Sequence, residues 1–424
     1  MPPARLPRLA ALALLLTTLL AAPATRAAEV TISCGALGQE LELCRDGAEE
    51  WARQSGNSVR IVSVPNSASE RLALYQMMLA GGGSSIDVYQ IDVTWPGILA
   101  PHLIDLRPYS QGAEARHFPA IIENNTVEDR LVAMPIYTDA GVLFYRSDLL
   151  EKYGRPVPRS WEEMEETARL IQQREREAGN PQIWGYVFQG RAYEGLTVNA
   201  LEWIASSGGG TLVDAEGRID ADTEGARLAL ARAARWMGSI APQGALTYTE
   251  EEARGLFQSG QAVFMRNWPY AWALAQGEDS PVRGRTGIAS LPRADAEEPS
   301  GVLGGWNLGV SRYSRHPAEA ASLVMWLAGP EEQKRRAVQA AYNPTLPALY
   351  EDAEIIAANP FFRTLYSSFE NAVARPSRPT GSKYNRVSNA IWTRVHAVLS
   401  QRMQAGAALT ALEQDLRRIA RRGW

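Results

Sequence analysis

Two short stretches of the chain set tryptophan beside hydrogen-bonding groups. In Arg266-Asn267-Trp268-Pro269-Tyr270 the aromatic pair follows a strand-like run, and Pro269 is placed to start a helix. In Gly304-Gly305-Trp306-Asn307 the glycines let the backbone approach a bound molecule closely while the Trp306 indole covers it. Carboxylates stand at other element ends: Asp92 after an apolar run, Asp139 within Tyr137-Thr138-Asp139-Ala140-Gly141, Glu40 at the opening of the first helix and Glu250 at the opening of a later one. Flat rings over C–H surfaces, with carboxylates, amides and arginine on hydroxyls, are the devices that hold a neutral, hydroxyl-rich ring. Each residue also has a plain structural role open to it, the aromatics as core and the carboxylates as helix caps or solvated groups. Charge-assisted hydrogen bonds contribute roughly 1.5–3 kcal/mol each, so two or three of them with stacking reach about −8 kcal/mol, a micromolar affinity.

Reaction chemistry has little to stand on. The four histidines, His102, His117, His316 and His396, are not at metal-ligand spacing from one another. The chain has no P-loop, no Gly-x-Ser-x-Gly elbow and no Ser-x-x-Lys with its partner motifs. Gly81-Gly82-Gly83 precedes a strand instead of opening a helix, so it reads as a helix stop and not as a phosphate loop. A glycoside hydrolase is the rival class, because its two carboxylates need no fixed spacing in sequence. Turnover separates the two: a hydrolase releases monosaccharides and a binding protein returns the sugar intact.

The compartment follows from the N-terminus. Arg5 and Arg8 precede an apolar run over 9–20 and small residues over 21–28, the pattern of a secretory signal peptide at 1–28, with a mature start near Glu29 and Ala22-Pro23-Ala24 as a second cleavage position. The apolar run falls short of the ~20 residues that span a bilayer. The first cysteine, Cys34, lies beyond a strand-like stretch, so no lipid anchor is expected and the periplasm is implied. Removing three arginines moves the formal charge from −4 to about −7, which argues against nucleic acid as a partner. The remaining 396 residues, in a chain 46% apolar, are enough for two domains with real cores. Cys34 and Cys44 are the only cysteines; in an oxidising compartment an even count suggests a disulfide, worth about 2–3 kcal/mol, the alternative being two reduced buried thiols.

The N-terminal part alternates strand (30–33, 59–64, 86–91) with helix (Leu41, Cys44, Ala48 and Trp51 at helical spacing; then 69–80), the pattern of a parallel α/β sheet. From residue 131 strands are predicted at 131–134 and 142–145, with a helix opened by a Ser160/Glu163 capping box. Helices at 194–206 and 223–237 flank a hairpin turning at 214–217. Strands follow at 262–266, 286–291 and 308–311, then helices to the end. The punctuated stretches 293–300 and 343–347 read as crossings between two lobes.

Six segments in this order carry a resemblance: 131–141 (LVAMPIYTDAG), 145–154 (YRSDLLEKYG), Tyr193-Glu194-Gly195-Leu196, 266–272 (RNWPYAW), 303–306 (LGGW) and 370–376 (ENAVARP). With them the whole mature chain resembles the extracellular solute-binding proteins of sugar ABC importers, family 1, most closely the trehalose/maltose-binding branch. The resemblance implies an α/β, type II periplasmic-binding-protein fold. Two α/β lobes of discontinuous chain, 29–138 with 302–345 and 139–301 with 346–424, would be joined by hinge crossings with the ligand cleft between them. It further implies a monomer without catalytic activity, cofactor or metal, which closes on an α-linked disaccharide, trehalose first and then maltose or sucrose, and docks on the membrane permease subunits. A glycerophosphodiester on the same fold would favour more basic cleft residues. Among the residues, the resemblance implies Glu40, Asp92 and Asp139 as hydroxyl-binding carboxylates and Tyr137, Trp268, Tyr270 and Trp306 as walls. Gly305 is implied as a backbone contact and Arg375 as a donor, with Arg71 and Glu250 as further candidates.

Overall fold

Alternating strand and helix at the N-terminus requires crossover connections, and the chain builds them. A computed structural model describes residues 27–294, 301–363, 366 and 371–424. Residues 1–26 of the expected signal peptide, 295–300 of the loop and Glu370 lie outside the described residues. Among the described residues, nine strands of four or more residues occur: β1 (Glu29–Cys34), β2 (Ser58–Ser63), β3 (Val88–Asp92), β4 (Met134–Ala140), β5 (Val142–Arg146), β6 (Trp184–Val187), β7 (Ala262–Asn267), β8 (Thr286–Ser290) and β9 (Leu303–Val310). They form two sheets, β2-β1-β3-β9-β4 and β8-β5-β7-β6. The fold is α/β, and each sheet defines one lobe.

In the first sheet β1 runs parallel to β2 and β3, and β9 is antiparallel to β3 and β4. Helix α1 (Glu40–Ser55) buries Cys44, Ala48 and Trp51 of the stripe read from the sequence, with Leu43 in place of the half-buried Leu41. Helix α2 (Ala68–Ala80) starts where the Ser67 side chain accepts the Glu70 N–H. In the second lobe α3 (Trp161–Glu177) carries the Ser160/Glu163 capping box, and α4 (Glu194–Ala205) and α5 (Glu224–Trp236) follow. After α6 (Glu250–Gln258), the chain returns to the first lobe through β9, α7 (Pro317–Leu327), α8 (Pro330–Ala340) and α9 (Ala353–Ala358). Helices α10 (Tyr384–Leu399) and α11 (Ala405–Ala420) then pack with α4 and α5.

Four expectations change. The strand expected at 131–134 begins at Met134 and continues to Ala140, so Asp139 lies within it and not between strands. Pro135 disguised it, a residue tolerated because β4 is the edge of its sheet. The strand expected at 308–311 begins at Leu303, so Gly304, Gly305 and Trp306 belong to β9; paired glycines have low strand propensity and hid its first half. The 343–347 stretch does not cross: Thr345 is held by Gln333, His117 and Phe118, all within the first lobe. The segment after 346, assigned to the second lobe, at first stays with the first, since α9 packs on α8 and Ile355 and Phe362 join the core cluster around β1 and β3. Proline punctuation records where an element stops and not where the chain goes next.

A buried ion pair of the second lobe lies beneath the passage from β4 to β5. Arg266 of β7 and Glu202 of α4 are 1% and 0% exposed and doubly bonded, Nε–Oε2 at 2.8 Å and Nη2–Oε1 at 2.5 Å. Gly141 is the single residue between β4 and β5, and a Cβ there would stand 1.9 Å from the Glu202 carboxylate, so only glycine lets the chain pass. Glu202→Ala strands a buried guanidinium and is expected to destabilise the protein by about 3–5 kcal/mol in equilibrium urea unfolding; a change below about 1 kcal/mol contradicts the assignment.

Candidate ligand-binding site between the lobes

The site is set by strand register. On β9, Trp306 lies opposite Asp92 of β3 on one side and Tyr137 of β4 on the other, and Gly304 lies opposite Asp139. A bulge between Trp306 and Asn307 re-aims the strand there. Gly305 has φ +126°, and a Cβ on it would stand 2.7 Å from the Tyr137 carbonyl oxygen. A Cβ on Gly304 would stand 2.8 Å from the Trp268 ring, so this indole of the second lobe lies directly on the backbone of the first.

Nine of the eleven residues implied by the resemblance line one cavity between the lobes: Asp92, Tyr137, Asp139, Glu250, Trp268, Tyr270, Gly305, Trp306 and Arg375. Its volume is about 50 Å³, several waters' worth where one water needs roughly 10–15 Å³. Glu40 and Arg71 stand behind the wall. Glu40 accepts hydrogen bonds from the Tyr137 hydroxyl and the Gln90 amide. Arg71 is fully buried, donates Nε to the Pro65 carbonyl at 3.0 Å, and lies with its guanidinium 4.1 Å over the Trp306 ring. Each supports an aromatic wall instead of facing the cavity.

Other lining residues carried no assigned role: Leu37, Asn66, Tyr193, Glu194, Val198 and Tyr342 among them. Tyr193-Glu194 was visible as a motif, and nothing in its spacing announces its partners. Tyr342, just past α8, has only its aromatic type as a signal; its ring lies 4.5 Å from that of Tyr137 and stacks at 14° and 6.2 Å on Tyr270.

Arg375 joins the lobes. Its Nη1 donates to Glu194 Oε1 at 2.8 Å, and its Nη2 lies 3.1 Å from Asp92 Oδ1. Asp92 Oδ1 also accepts from the Thr94 N–H at 2.9 Å and its hydroxyl at 2.7 Å, so it closes the turn after β3 and caps no helix. Glu194 is held from behind by Tyr384 and Ser388, and its own N–H donates to Ser69 Oγ of the first lobe at 3.1 Å. Glu250 accepts the Tyr193 hydroxyl at 2.7 Å and lies 3.5 Å from Trp268 Nε1. Arg266 supports Trp268 from beneath, 4.0 Å from the ring centroid.

Asp139 is the exposed nerve of this arrangement: buried, with Oδ1 lacking a protein partner. Burial first, and the charge of Glu40 second, push its carboxyl well above the usual range against the pull of Arg266. Burial likewise raises Glu194 and Glu250, opposed by Arg375 and by the Tyr193 hydrogen bond respectively. The folded protein therefore holds a proton at Asp139 where the unfolded chain has released it, so this residue's share of stability falls as pH rises from the ordinary carboxylate range, about pH 4, towards the raised value. Asp139→Asn removes that dependence. Its thermal midpoint is expected to exceed that of the wild type by a margin that widens from pH 4 to neutrality; a margin constant with pH contradicts the raised carboxyl.

The arrangement resembles that of known proteins. The family described as bacterial extracellular solute-binding protein matches residues 44–334. A probable ABC transporter-binding protein of Deinococcus radiodurans is 50% identical over 406 residues, covering 95% of this chain and 96% of that protein. Maltose-bound MalE3 of T. maritima superposes with a TM-score of 0.87 at 37% identity, covering 93% of this chain and 100% of that one. A solute-binding protein of Agrobacterium vitis with bound D-mannitol gives a TM-score of 0.79 over 93% of this chain and 99% of that one, a likeness of fold alone at 21% identity. These are binding proteins and not enzymes, and their architecture is the type II periplasmic-binding-protein fold seen in the two sheets here. With a family match over most of its length and a half-identical relative along nearly all of it, this chain belongs to the bacterial extracellular solute-binding proteins, the binding components of ABC importers.

Proposed function

We propose that the protein captures an α-linked disaccharide in the periplasm, by closure of its two lobes, and delivers it to the permease subunits of an ABC importer. The observation that carries this reading is the composition of the interlobe cavity. Tyr137, Trp268, Tyr270 and Trp306 supply ring faces, and Asp92, Asp139, Glu194 and Glu250 supply acceptors. Against these four carboxylates the lining holds one guanidinium, Arg375, already bonded to two of them. Such a cavity offers a phosphodiester no unpaired cation and suits a neutral polyol, whose hydroxyls bond to the carboxyl oxygens while its C–H faces cover the rings. The maltose bound to MalE3 at 37% identity supports maltose beside trehalose as the ligands to test first. A ligand touching both sheets stabilises the closed arrangement through contacts that an open one lacks. The N-terminal 1–28 segment supports export, and the chain is taken to act as a monomer.

Titration calorimetry of the mature protein against trehalose, maltose, sucrose and glucose, with analysis of the recovered sugar, tests the reading. One disaccharide is expected to bind at micromolar affinity or better and to be recovered uncleaved; no heat with any of the four overturns the ligand class. Trp306→Ala and Asp139→Ala are each expected to weaken that binding at least tenfold while the far-UV circular dichroism stays that of the wild type, and an unchanged affinity removes the residue from the site.

A further inference from the structure

The Cys34–Cys44 disulfide closes a short ring, ten residues apart in sequence with the Cα atoms 6.2 Å apart, at the turn from β1 into α1. The residues inside this ring touch three tyrosines of the cavity wall by three different routes. Glu40 accepts the hydroxyl of Tyr137. The Leu37 carbonyl accepts the hydroxyl of Tyr342 at 3.1 Å, and the Leu37 side chain itself lines the cavity. Gly38, at φ +56°, lies against the ring of Tyr270, where a Cβ would stand 2.6 Å from the aromatic carbon. Gly35, directly after Cys34, donates its N–H to Gln90 Oε1 at 2.5 Å and leaves the space that the Glu40 carboxylate fills, 1.9 Å from where its Cβ would be.

We propose that this disulfide is a positioning clamp for the ligand site, an inference that rests on the cavity being the ligand site. Cys44 lies four residues after Glu40, so both project from one face of α1. Tying Cys44 to the end of β1 therefore fixes the azimuth of the helix start and, with it, the carboxylate that holds Tyr137. The fold has other anchors: β1 by its ladder to β2, α1 by Leu43, Ala48 and Trp51 in the core. Opening the bond frees residues 35–43 while leaving the strand and the later helix in place, so the loss falls on preorganisation of the site more than on folding.

The test compares the oxidised wild type with the Cys34→Ala/Cys44→Ala double variant and with the reduced wild type, each titrated with maltose and with trehalose. Affinity is expected to drop at least tenfold while thermal unfolding stays cooperative above the assay temperature; an affinity within twofold of the oxidised protein overturns the clamp. Glu40→Gln closes a double-mutant cycle. Its effect is expected to shrink at least threefold once the disulfide is absent, and equal effects in both backgrounds overturn the route through Glu40. Amide hydrogen exchange without sugar gives a readout independent of the ligand class. Amides of 35–43 are expected to exchange at least tenfold faster on reduction while those of β1 and 46–55 do not, and equal exchange at 35–43 overturns the clamp. Should the oxidised wild type bind neither sugar, the disaccharide reading fails and the exchange result still decides this one.

Discussion

One strand register underlies the site. Because β9 is antiparallel to both β3 and β4, a single residue, Trp306, is brought level with Asp92 and Tyr137, which are 45 positions apart in the chain. Shifting β9 by one residue turns every side chain to the opposite face of the sheet and dissolves that row. The register is protected by a bulge and by two glycines whose missing side chains are occupied by neighbours, the Tyr137 carbonyl at Gly305 and the Trp268 ring at Gly304. Substitution at either glycine would push against backbone or against the opposite lobe, so the close approach of the lobes and the order of the site residues depend on the same few atoms.

The contact across the cavity is ionic and selective. Exposed pairs such as Arg191–Glu70, 44% and 53% exposed, add little to holding the lobes, since solvent and salt screen them. Arg375 is different, because it is buried between Asp92 and Glu194, and Glu194 is itself fixed by Tyr384 and Ser388. Burying such a group is no gain in stability over apolar packing, yet breaking one of its contacts costs about 3–5 kcal/mol. The arrangement therefore specifies how the lobes meet more than how strongly. It also makes the closing geometry and the donor set of the cavity one object, so a ligand that fits the cavity is read by both lobes at once.

Two residues of the cavity lining keep a buried polar atom without a protein partner, Asp139 Oδ1 and Arg375 Nε, and the terminal nitrogens of Arg71 behind Trp306 are in the same state. In a finished core such atoms are rare, because each forgoes hydrogen bonds it made to water. Such atoms at a cavity, together with carboxyls raised by burial, are the usual compromise between a stable fold and a surface that must still form bonds with something else. The second lobe's core is aromatic, with Trp203 packed edge-on against Phe188 and Trp236.

The local rules of the chain were enough for much of this. Helical spacing gave away α1, Ser160 with Glu163 marked the start of α3, and two cysteines in an exported chain pointed to the bond they form. Nine of the eleven site residues that the family resemblance implied share one cavity, whereas their local chemistry alone left core and capping roles open. What sequence reasoning missed is long-range. Pro135 and the 304–305 glycines have poor strand propensity, so β4 and the first half of β9 exist only because neighbouring strands pair with them. Glu40 and Arg71 have the right types for ligand contacts, but packing places them behind Tyr137 and Trp306, and Glu194 matters only because folding brings Arg375 to it from 181 residues away. Residue type sets which bonds a side chain is able to make; the register of the sheets and the meeting of the lobes decide which of those bonds have a partner.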